Sequence, residues 1–424
     1  MKRLAILGAG TAGTMVANHL RGKLPRDWSM TLIDPEPVHV YQPGLLFLPF
    51  GLETKEGVVK MRRSTLRSGV EWITESVDRV DSIARRILFE NGDALEYDLL
   101  VIATGTDIRP EETEGMLGDG WHRTIYDFYT LAGAMALQKA LASFNGGRLV
   151  VNIVEMPIKC PVAPLEFIFL ADEYFTRRGI RDRVELVYAT PLDGAFTRPI
   201  ASQTLGYLLA EKGIHVESEF SAGEVDGENR ILRSWDEREI PYDLLVAVPT
   251  HGGAPYIMRS GRDGEGLGDD LDFVPTDPHT LLAKGHDNIF VIGDATNLPS
   301  SKAGSVAHFQ SEVLAENIQR AIAGRSLVEG FDGHANCFIE SGWGKALLVD
   351  FNYDVEPLPG RYPLPGLGPF SLLRESRINH WGKLAFKWIY WHALLPARPV
   401  PVPNRMSMAG KIQVPPDVSN KAVA

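Results

Sequence analysis

The sequence predicts an α/β protein with two Rossmann-like domains of the dinucleotide-binding kind, followed by an amphipathic C-terminal region that associates with a membrane. Two observations predict the paired domains. An apolar strand runs into a glycine-rich turn near the N-terminus, and the alternation of strands and helices begins again at about residue 111. The predicted limits are 1–110 for the first part of the first domain, 111–250 for the second domain, 251–335 for the return to the first, and 336–424 for a C-terminal region with a loose tail.

The first glycine turn has the spacing G-x-G-x-x-G, carried by Gly8, Gly10 and Gly13. In such a turn the first glycine allows the sharp bend, the second lets the backbone approach a pyrophosphate, and the third lets the helix pack on the strand. Asp34 ends the next strand, 21 residues after Gly13, where a carboxylate binds a ribose hydroxyl. The sequence therefore predicts a dinucleotide site here.

The corresponding turn of the second domain differs in composition. No glycine lies between Gly147 and Gly179, and the segment 155–161 supplies Cys160 instead. A second dinucleotide would need bare backbone N–H groups at this turn. The sequence therefore predicts that this domain lost its dinucleotide site and acquired a cysteine.

Two later strands complete the first domain. The strand over 95–106 ends in Thr104 and Gly105, and the strand over 288–295 ends in Gly293 and Asp294. Asp294 is predicted to bind a ribityl hydroxyl, and Lys302, in the loop that follows, to stabilise negative charge on a reduced flavin. A surface-loop lysine is the alternative for Lys302. These elements, in this order, predict bound FAD.

Composition excludes other classes of protein. The 424 residues suit two or three domains, and the net charge of −11 argues against a nucleic-acid binder. The two cysteines stand 177 residues apart, which matches no disulfide framework and no zinc spacing, so no metal is predicted. The apolar run after Arg3 becomes the glycine turn, so we expect a strand there and a cytoplasmic protein.

Four segments resemble the sulfide:quinone oxidoreductase family, a group of two-dinucleotide-domain flavoproteins of the disulfide-reductase class. The resemblance covers residues 1 to about 395, and its motifs are Cys160-Pro161-Val162-Ala163-Pro164-Leu165-Glu166, Gly293-Asp294-Ala295-Thr296-Asn297, Lys302-Ala303-Gly304 and Cys337-Phe338-Ile339-Glu340. It implies that Cys160 and Cys337 take up sulfide beside FAD, that Glu166 is an acid near the sulfur site, and that electrons leave to a membrane quinone. The implied partners are sulfide, a quinone and the membrane surface, while the sequence leaves open whether the protein forms a homo-oligomer, such as a dimer or a trimer.

The resemblance also implies a redox-active pair of cysteines, bridged in the resting state directly or through added sulfur. Lys159 is predicted to lower the pKa of Cys160, with a solvated lysine as the alternative. Some family members carry a third cysteine upstream, whereas residues 121–135 contain none. We therefore expect FAD to be bound non-covalently.

The segment after Cys337 is rich in aromatic residues. A quinone ring needs flat apolar walls and hydrogen-bond donors, and Lys345, Phe351 and Tyr353 are the predicted quinone-binding residues. Ordinary core packing is the alternative.

A membrane anchor is predicted beyond the Pro/Gly-rich linker at 357–369. Trp381, Leu384 and Trp388 recur at helical spacing, and residues 371–424 carry eight Lys or Arg against two Asp or Glu. This predicts an in-plane helix on the cytoplasmic face of the cell membrane, with its lysines at headgroup depth. A helix docked on its own protein is the alternative. A cut after Gly368 is expected to leave the flavin chemistry intact, since every motif precedes it.

Three rival functions remain. A type II NADH dehydrogenase shares the architecture but needs nicotinamide contacts at 155–161. A flavocytochrome-type sulfide dehydrogenase would be exported and would meet a soluble cytochrome. A non-catalytic membrane flavoprotein would sense redox state through its cysteines.

Overall fold

The computed structural model describes residues 1–261, 266–364 and 366–413. In these residues the strands are β1 Lys2–Leu7, β2 Trp28–Ile33, β3 Val38–Val40, β4 Val59–Met61, β5 Glu71–Ile73, β6 Val77–Asp81, β7 Arg86–Phe89, β8 Ala94–Glu96, β9 Leu99–Ile102, β10 Asp107–Ile108, β11 Ile125–Tyr126, β12 Gly147–Ile153, β13 Val184–Ala189, β14 His215–Glu217, β15 Ala222–Asp226, β16 Ile231–Ser234, β17 Glu239–Pro241, β18 Leu244–Val248, β19 His251–Gly252, β20 Ile289–Val291, β21 Ala335–Gly342, β22 Lys345–Phe351, β23 Gly360–Tyr362 and β24 Phe370–Leu372. The α-helices are α1 Thr11–Leu20, α2 Lys55–Val58, α3 Leu131–Ser143, α4 Ala163–Arg177, α5 Pro199–Glu211, α6 Gly304–Ile322 and α7 Arg377–Ile389.

The first parallel sheet has the order β20-β9-β1-β2-β5. Leu4 to Leu7 of β1 are fully buried, as expected of a strand covered on both faces. The register pairs Leu7 with Ile33 and with Ile102. The carboxyl ends of these strands therefore meet at one edge, which is where ligands bind in open α/β sheets.

The second parallel sheet has the order β11-β18-β12-β13-β14, with strands drawn from residues 125–248. Each sheet is accompanied by an antiparallel three-stranded meander, β6-β7-β8 for the first and β15-β16-β17 for the second. The repeated plan agrees with the predicted duplication of two Rossmann-like domains. β10 pairs with β19 where the chain leaves the first sheet and later returns to it.

The C-terminal part forms a four-stranded sheet, β21-β22-β24-β23, against which α7 packs. Ser376 begins α7, because its side chain accepts a hydrogen bond from the Asn379 amide at 3.1 Å. A π-helical turn, Tyr390–Leu394, continues the helix. No helix in the described residues is long and apolar enough to cross a membrane.

The predicted loose tail is wrong for the described residues up to 413. The Arg361 amide donates to the Gly410 carbonyl at 2.9 Å, and the Lys411 ammonium pairs with the buried carboxylate of Asp350. A buried carboxylate needs a cation or hydrogen-bond donors, so the pairing with Asp350 fixes the segment around Lys411 on the protein. Residues 414–424 of the predicted tail lie outside the described residues.

Candidate active site

A deep crevice opens at the carboxyl edge of the first sheet, and the glycine turn forms its floor. Gly8 has φ +90°, and a Cβ added there would lie 2.5 Å from the Ala103 carbonyl oxygen. A Cβ on Gly10 would meet nothing within 4 Å. Helix α1 starts directly after Gly10, with no acidic residue in its first turn. The turn therefore fits the pyrophosphate of a dinucleotide, which the helix N-terminus favours.

Asp34 lies at the crevice wall, where it organises the glycine turn. Its carboxylate accepts hydrogen bonds from the amides of Ala9 at 2.7 Å and Glu36 at 2.9 Å. It also pairs with Arg62 at 3.2 Å. This geometry is compatible with ribose binding, which stays a prediction.

Arg62 is a residue that the sequence analysis missed. Its buried guanidinium donates to the carbonyls of Glu36 at 2.6 Å and Val38 at 2.8 Å, contacts the Ala9 carbonyl and lines the crevice. Nothing in the local sequence around Arg62 distinguishes it from a surface arginine. Its importance comes from the fold, which brings residue 62 against the turn at residue 9.

The two later strand ends line the same crevice. Thr104 and Gly105 follow β9, and Gly293 and Asp294 follow β20. The Gly293 amide donates to the buried Gln310 side chain at 2.7 Å, which fixes the turn against α6. Burial raises the pKa of Asp294, although Lys302 opposes this shift. The residues predicted to hold FAD are thus brought together, and a flavin dinucleotide fits them.

Lys302 is buried, which excludes the surface-loop alternative. Its ammonium donates to the carbonyls of Asp294 at 2.8 Å and Thr296 at 2.7 Å, and lies 3.8 Å from the centre of the Phe273 ring. Burial lowers the pKa of Lys302 to about 8, although Asp294 opposes this shift. Lys302 lines the crevice, and its predicted action on reduced flavin stays a prediction.

Cys160 lies in a left-handed turn between β12 and α4, at φ +51°. Such a backbone conformation is uncommon for a non-glycine residue and is typical of functional sites. The turn is held by hydrogen bonds from the Cys160 amide to the Lys302 carbonyl at 2.7 Å and from the Ala163 amide to the Cys160 carbonyl at 2.8 Å. Cys160 therefore lines the flavin crevice.

Cys337 lies on β21, opposite Val349. Both cysteines are free thiols in the structure and half-buried. Burial raises the pKa of Cys337 to about 11, and the Lys383 ammonium opposes this rise. Burial also raises the pKa of Cys160, Glu166 adds to the rise, and Lys383 opposes it. The cation that acts most strongly on the Cys160 thiol is Lys383, and not Lys159 as the sequence analysis expected.

Glu166 and Lys383 form a buried ion pair beside the two thiols. The Lys383 ammonium donates to Glu166 Oε1 at 2.7 Å and to the Phe338 carbonyl at 3.1 Å, and the Glu340 amide donates to the same carboxylate oxygen at 2.7 Å. Burial raises the pKa of Glu166, against the effect of Lys383. Burial disfavours the Lys383 ammonium, but Glu166 and Cys160 raise its pKa. Among the residues that the structure describes, Oε2 of Glu166 has no hydrogen-bond partner, so it is a free acceptor at the site.

The predicted quinone residues do not converge. Lys345 is 48% exposed at one end of β22, where it pairs with Glu375 at 3.7 Å. Phe351 is buried at the other end of that strand, roughly 20 Å away for a seven-residue strand. The Tyr353 hydroxyl donates to the Pro278 carbonyl at 3.3 Å, and its ring packs against the same large core that contains Phe351. The prediction of one quinone pocket from these three residues is wrong, because Lys345 lies apart on the surface, Phe351 is a core residue and Tyr353 is a partly buried residue at the edge of that core.

Helix α7 presents its polar side to the protein and its apolar side outward. Lys387 pairs with Glu53 at 2.6 Å, and His380 Nδ1 lies 2.8 Å from a Glu340 carboxylate oxygen. The outward stripe is formed by side chains that are more than half exposed, namely Ile378, Trp381, Leu384 and Trp388. The lysines expected at headgroup depth, Lys383 and Lys387, therefore point inward, where they pair with the buried Glu166 and the partly buried Glu53.

Known proteins share this architecture. The family model described as pyridine nucleotide-disulphide oxidoreductase matches residues 2–151. The mitochondrial sulfide:quinone oxidoreductase of Mus musculus is 25% identical over 92% of this chain and 85% of its own length. An NADH dehydrogenase-like protein of Bacillus subtilis is 22% identical over 86% of this chain and 96% of its own. The X-ray structure of the sulfide:quinone oxidoreductase of Aquifex aeolicus superposes with a TM-score of 0.75 at 20% identity and covers 92% of both chains.

The crevice, the paired sheets and the family model together define a flavoprotein oxidoreductase of the two-dinucleotide-domain type. The chain is an FAD-dependent oxidoreductase. Over more than nine tenths of its length it resembles the sulfide:quinone oxidoreductases, as its motifs predicted.

Proposed function

We propose that this enzyme oxidises sulfide and that the electrons leave through FAD to a membrane quinone. The observation that carries the proposal is the shared environment of Cys160 and Cys337. These are the two cysteines of the chain. The same two charged residues beside the flavin crevice, Glu166 and Lys383, shift the pKa of both thiols. Relatives named sulfide:quinone oxidoreductases support the same function.

The first chemical step opens a sulfur bridge between the two cysteines of the oxidised enzyme. Hydrosulfide attacks one sulfur, a new S–S bond forms between the sulfide sulfur and that cysteine, and the other cysteine leaves as a thiolate. The residues that line the crevice would hold FAD, which would supply the acceptor for the electron pair of the thiolate and the route from it to the quinone. A bridge through added sulfur would open in the same way.

The Glu166–Lys383 ion pair stabilises the thiolate that this step forms and accepts the proton that it releases. The Lys383 ammonium stabilises the thiolate, because it lowers the pKa of each cysteine against the effect of burial. Glu166 lines the crevice, and its Oε2 atom has no partner among the described residues, so this carboxylate accepts the proton of the incoming hydrosulfide. The positions of Cys160, Cys337 and Glu166 thus support the catalytic roles that the resemblance implied.

The rival function as an NADH dehydrogenase is opposed by the start of helix α4. Pro164 removes a backbone N–H from its first turn, and Glu166 places an acid there. The Cys160 amide already donates to the Lys302 carbonyl. A pyrophosphate favours free N–H groups and positive potential, and this helix start offers neither, whereas α1 does.

The outward stripe of α7 supports peripheral binding to a membrane surface. It carries two tryptophans, Trp381 and Trp388, which are 72% and 65% exposed. Trp side chains favour the headgroup region of a bilayer, so the helix would lie in the membrane plane with its polar side on the protein. The cytoplasmic face of a cell membrane stays a prediction, and three relatives are named as mitochondrial proteins. A homo-oligomer likewise stays a prediction.

One experiment separates the candidate functions. Oxidised protein is mixed anaerobically with sulfide or with NADH while the flavin absorbance is followed, and a quinone or a soluble cytochrome is then added. Sulfide should bleach the flavin, NADH should not, and the quinone should restore the colour. Rapid bleaching by NADH would instead indicate an NADH dehydrogenase. Recovery with cytochrome alone would indicate a flavocytochrome partner, and no turnover with any pair would favour a redox sensor.

A further inference from the structure

The segment directly after α7 is buried in the FAD domain, which the sequence did not predict. This C-terminal clasp, residues 390–395, includes Tyr390, Trp391, Leu394 and Leu395, all less than one tenth exposed. Trp391 packs edge-on against the His39 ring, and the Lys60 ammonium lies 4.3 Å from the centre of its indole ring. The clasp is therefore part of the first domain's core, although 351 residues separate Tyr390 from His39.

Tyr390 reaches the floor of the flavin crevice. Its hydroxyl lies 2.7 Å from Thr11 Oγ1 and 2.6 Å from His39 Nε2. Thr11 is the first residue of α1, directly after Gly10 of the glycine turn. Tyr390 and Thr11 both line the crevice. The clasp thus brings a fully buried hydroxyl to the helix start that fits the cofactor's pyrophosphate.

A second contact fixes the clasp along the same helix. The side-chain amide of Asn18, buried on α1, donates to the Leu395 carbonyl at 2.7 Å and to the Thr65 carbonyl at 2.9 Å. Thr11 and Asn18 lie about two turns apart on α1. The clasp therefore contacts α1 at two points. π-Helical turns such as this one occur frequently at functional sites.

We propose that Tyr390 is a cofactor-binding residue and that the clasp retains FAD by closing the crevice at the start of α1. The Tyr390 hydroxyl contributes a polar contact at the phosphate-binding turn, and His39 acts through it as a positioning residue. The inference concerns retention of the flavin and does not depend on which substrate reduces it. It also changes the expectation for a cut after Gly368, which removes the clasp and therefore weakens flavin binding.

The test measures release of FAD from the full-length holoenzyme. Free FAD fluoresces more strongly than bound flavin, so dilution into buffer with an excess of a non-fluorescent competing flavin analogue, which occupies each emptied site, reports the dissociation rate. Tyr390→Phe keeps the ring and removes the hydroxyl. We expect it to raise the dissociation rate about five-fold, which corresponds to the loss of one hydrogen bond. Tyr188→Phe is the matched control, because Tyr188 is equally buried but lies outside the crevice.

His39→Leu tests the positioning role. We expect it to raise the rate less than Tyr390→Phe does, and the double variant should be no faster than Tyr390→Phe alone, because His39 acts through the hydroxyl. If His39→Leu does not fold, the FAD dissociation rate of Tyr390→Phe alone tests the proposal. A Tyr390→Phe protein that releases FAD at the wild-type rate would overturn the proposal. An equal rise in Tyr188→Phe would also overturn it, since the effect would then be general loosening.

Discussion

Lys383 and Glu166 join two distant parts of the chain through a buried ion pair, with 2.7 Å between Lys383 Nζ and Glu166 Oε1. Glu166 lies in the first turn of α4, just after the Cys160 loop, and Lys383 lies on α7, the helix proposed to meet the membrane. The pair therefore connects the sulfur site to the proposed membrane surface. Movement of α7 on a bilayer would change the charge next to both thiols.

The first prediction concerns the charge of Lys383. Lys383→Met should raise the pKa of both thiols further, because it removes the cation that opposes their burial. Reduction of the flavin by sulfide should slow at least ten-fold, as one pKa unit corresponds to about 1.4 kcal/mol. Stopped-flow absorbance measures this rate. Lys387→Met is the matched control, since Lys387 lies one turn further along α7 and pairs with Glu53.

Lys383→Met should also lower the free energy of unfolding. Removing one partner of a buried pair costs about 3–5 kcal/mol, because the other charge is left uncompensated. Lys383→Met combined with Glu166→Gln should regain part of this loss in a denaturant titration without regaining the rate. If Lys383→Met and Lys387→Met slow the reaction equally, the special role of Lys383 beside the thiols is excluded.

The second prediction concerns the cysteine pair. Cys160→Ser and Cys337→Ser should each abolish sulfide-dependent quinone reduction while FAD stays bound, because a covalent relay needs both sulfurs. The double variant should be hardly slower than either single one, since members of a unit fail together. Steady-state quinone absorbance is the measurement. Near-normal turnover in either single variant at saturating sulfide would mean that the cysteines are structural.

The motif-bearing residues could be predicted from the sequence because their roles are local. Gly8, Gly10 and Gly13 are recognised by spacing, and Cys160 by the glycines it replaces. Residues that act only through the fold, such as Arg62 and Tyr390, could not be found in this way. Each is an ordinary residue in its own segment, and contacts with residues 9 and 11 give it its place in the crevice.

The C-terminal region shows where periodicity alone misleads. The spacing of Trp381, Leu384 and Trp388 correctly indicates one apolar stripe, but it does not say which charges lie on the other side. The lysines turn inward because each pairs with a carboxylate of the protein, Lys383 with the buried Glu166 and Lys387 with the partly buried Glu53. The prediction that Lys345, Phe351 and Tyr353 form one cluster is wrong for a related reason. β22 is extended, so Lys345 and Phe351, which are close in sequence, lie at opposite ends of the strand.

The third prediction is that FAD is bound non-covalently. Residues 121–135 contain no cysteine, and both cysteines of the chain are proposed to carry sulfur. Acid precipitation of the purified protein should therefore release the yellow flavin into the supernatant, where chromatography against an FAD standard identifies it. Flavin that stays with the precipitated chain would contradict this prediction and would require a different attachment residue.

The fourth prediction concerns the outward stripe of α7. Trp381→Ser combined with Trp388→Ser should strongly reduce flotation with liposomes, because both indoles are exposed. High salt should weaken wild-type binding little, since Lys383 and Lys387 are engaged inside the protein. Trp235→Ser is the matched control, as Trp235 is 79% exposed on a different domain. Undiminished flotation of the double variant would show that α7 is not the membrane contact.

The last prediction concerns pH and Glu340, whose carboxylate lies 2.8 Å from His380 of α7. Burial raises the pKa of Glu340 from 4.5 to about 7, although His380 opposes the rise. Between those values the folded protein holds a proton that the unfolded chain has lost. Stability should therefore fall as the pH rises from about 4.5 to about 7 and then level off.

Glu340→Gln removes this titration while keeping the shape of the side chain. The free energy of unfolding of the FAD-loaded wild type, relative to that of Glu340→Gln, should drop by about 1–3 kcal/mol between pH 5 and pH 7.5. Urea titrations at a series of pH values measure the difference, and the groups common to both proteins cancel. Because His380 is attached to α7, liposomes that bind the outward stripe should shift the midpoint of this difference. A difference that does not change with pH would show that Glu340 is already ionised at pH 5 and paired with His380 throughout the range.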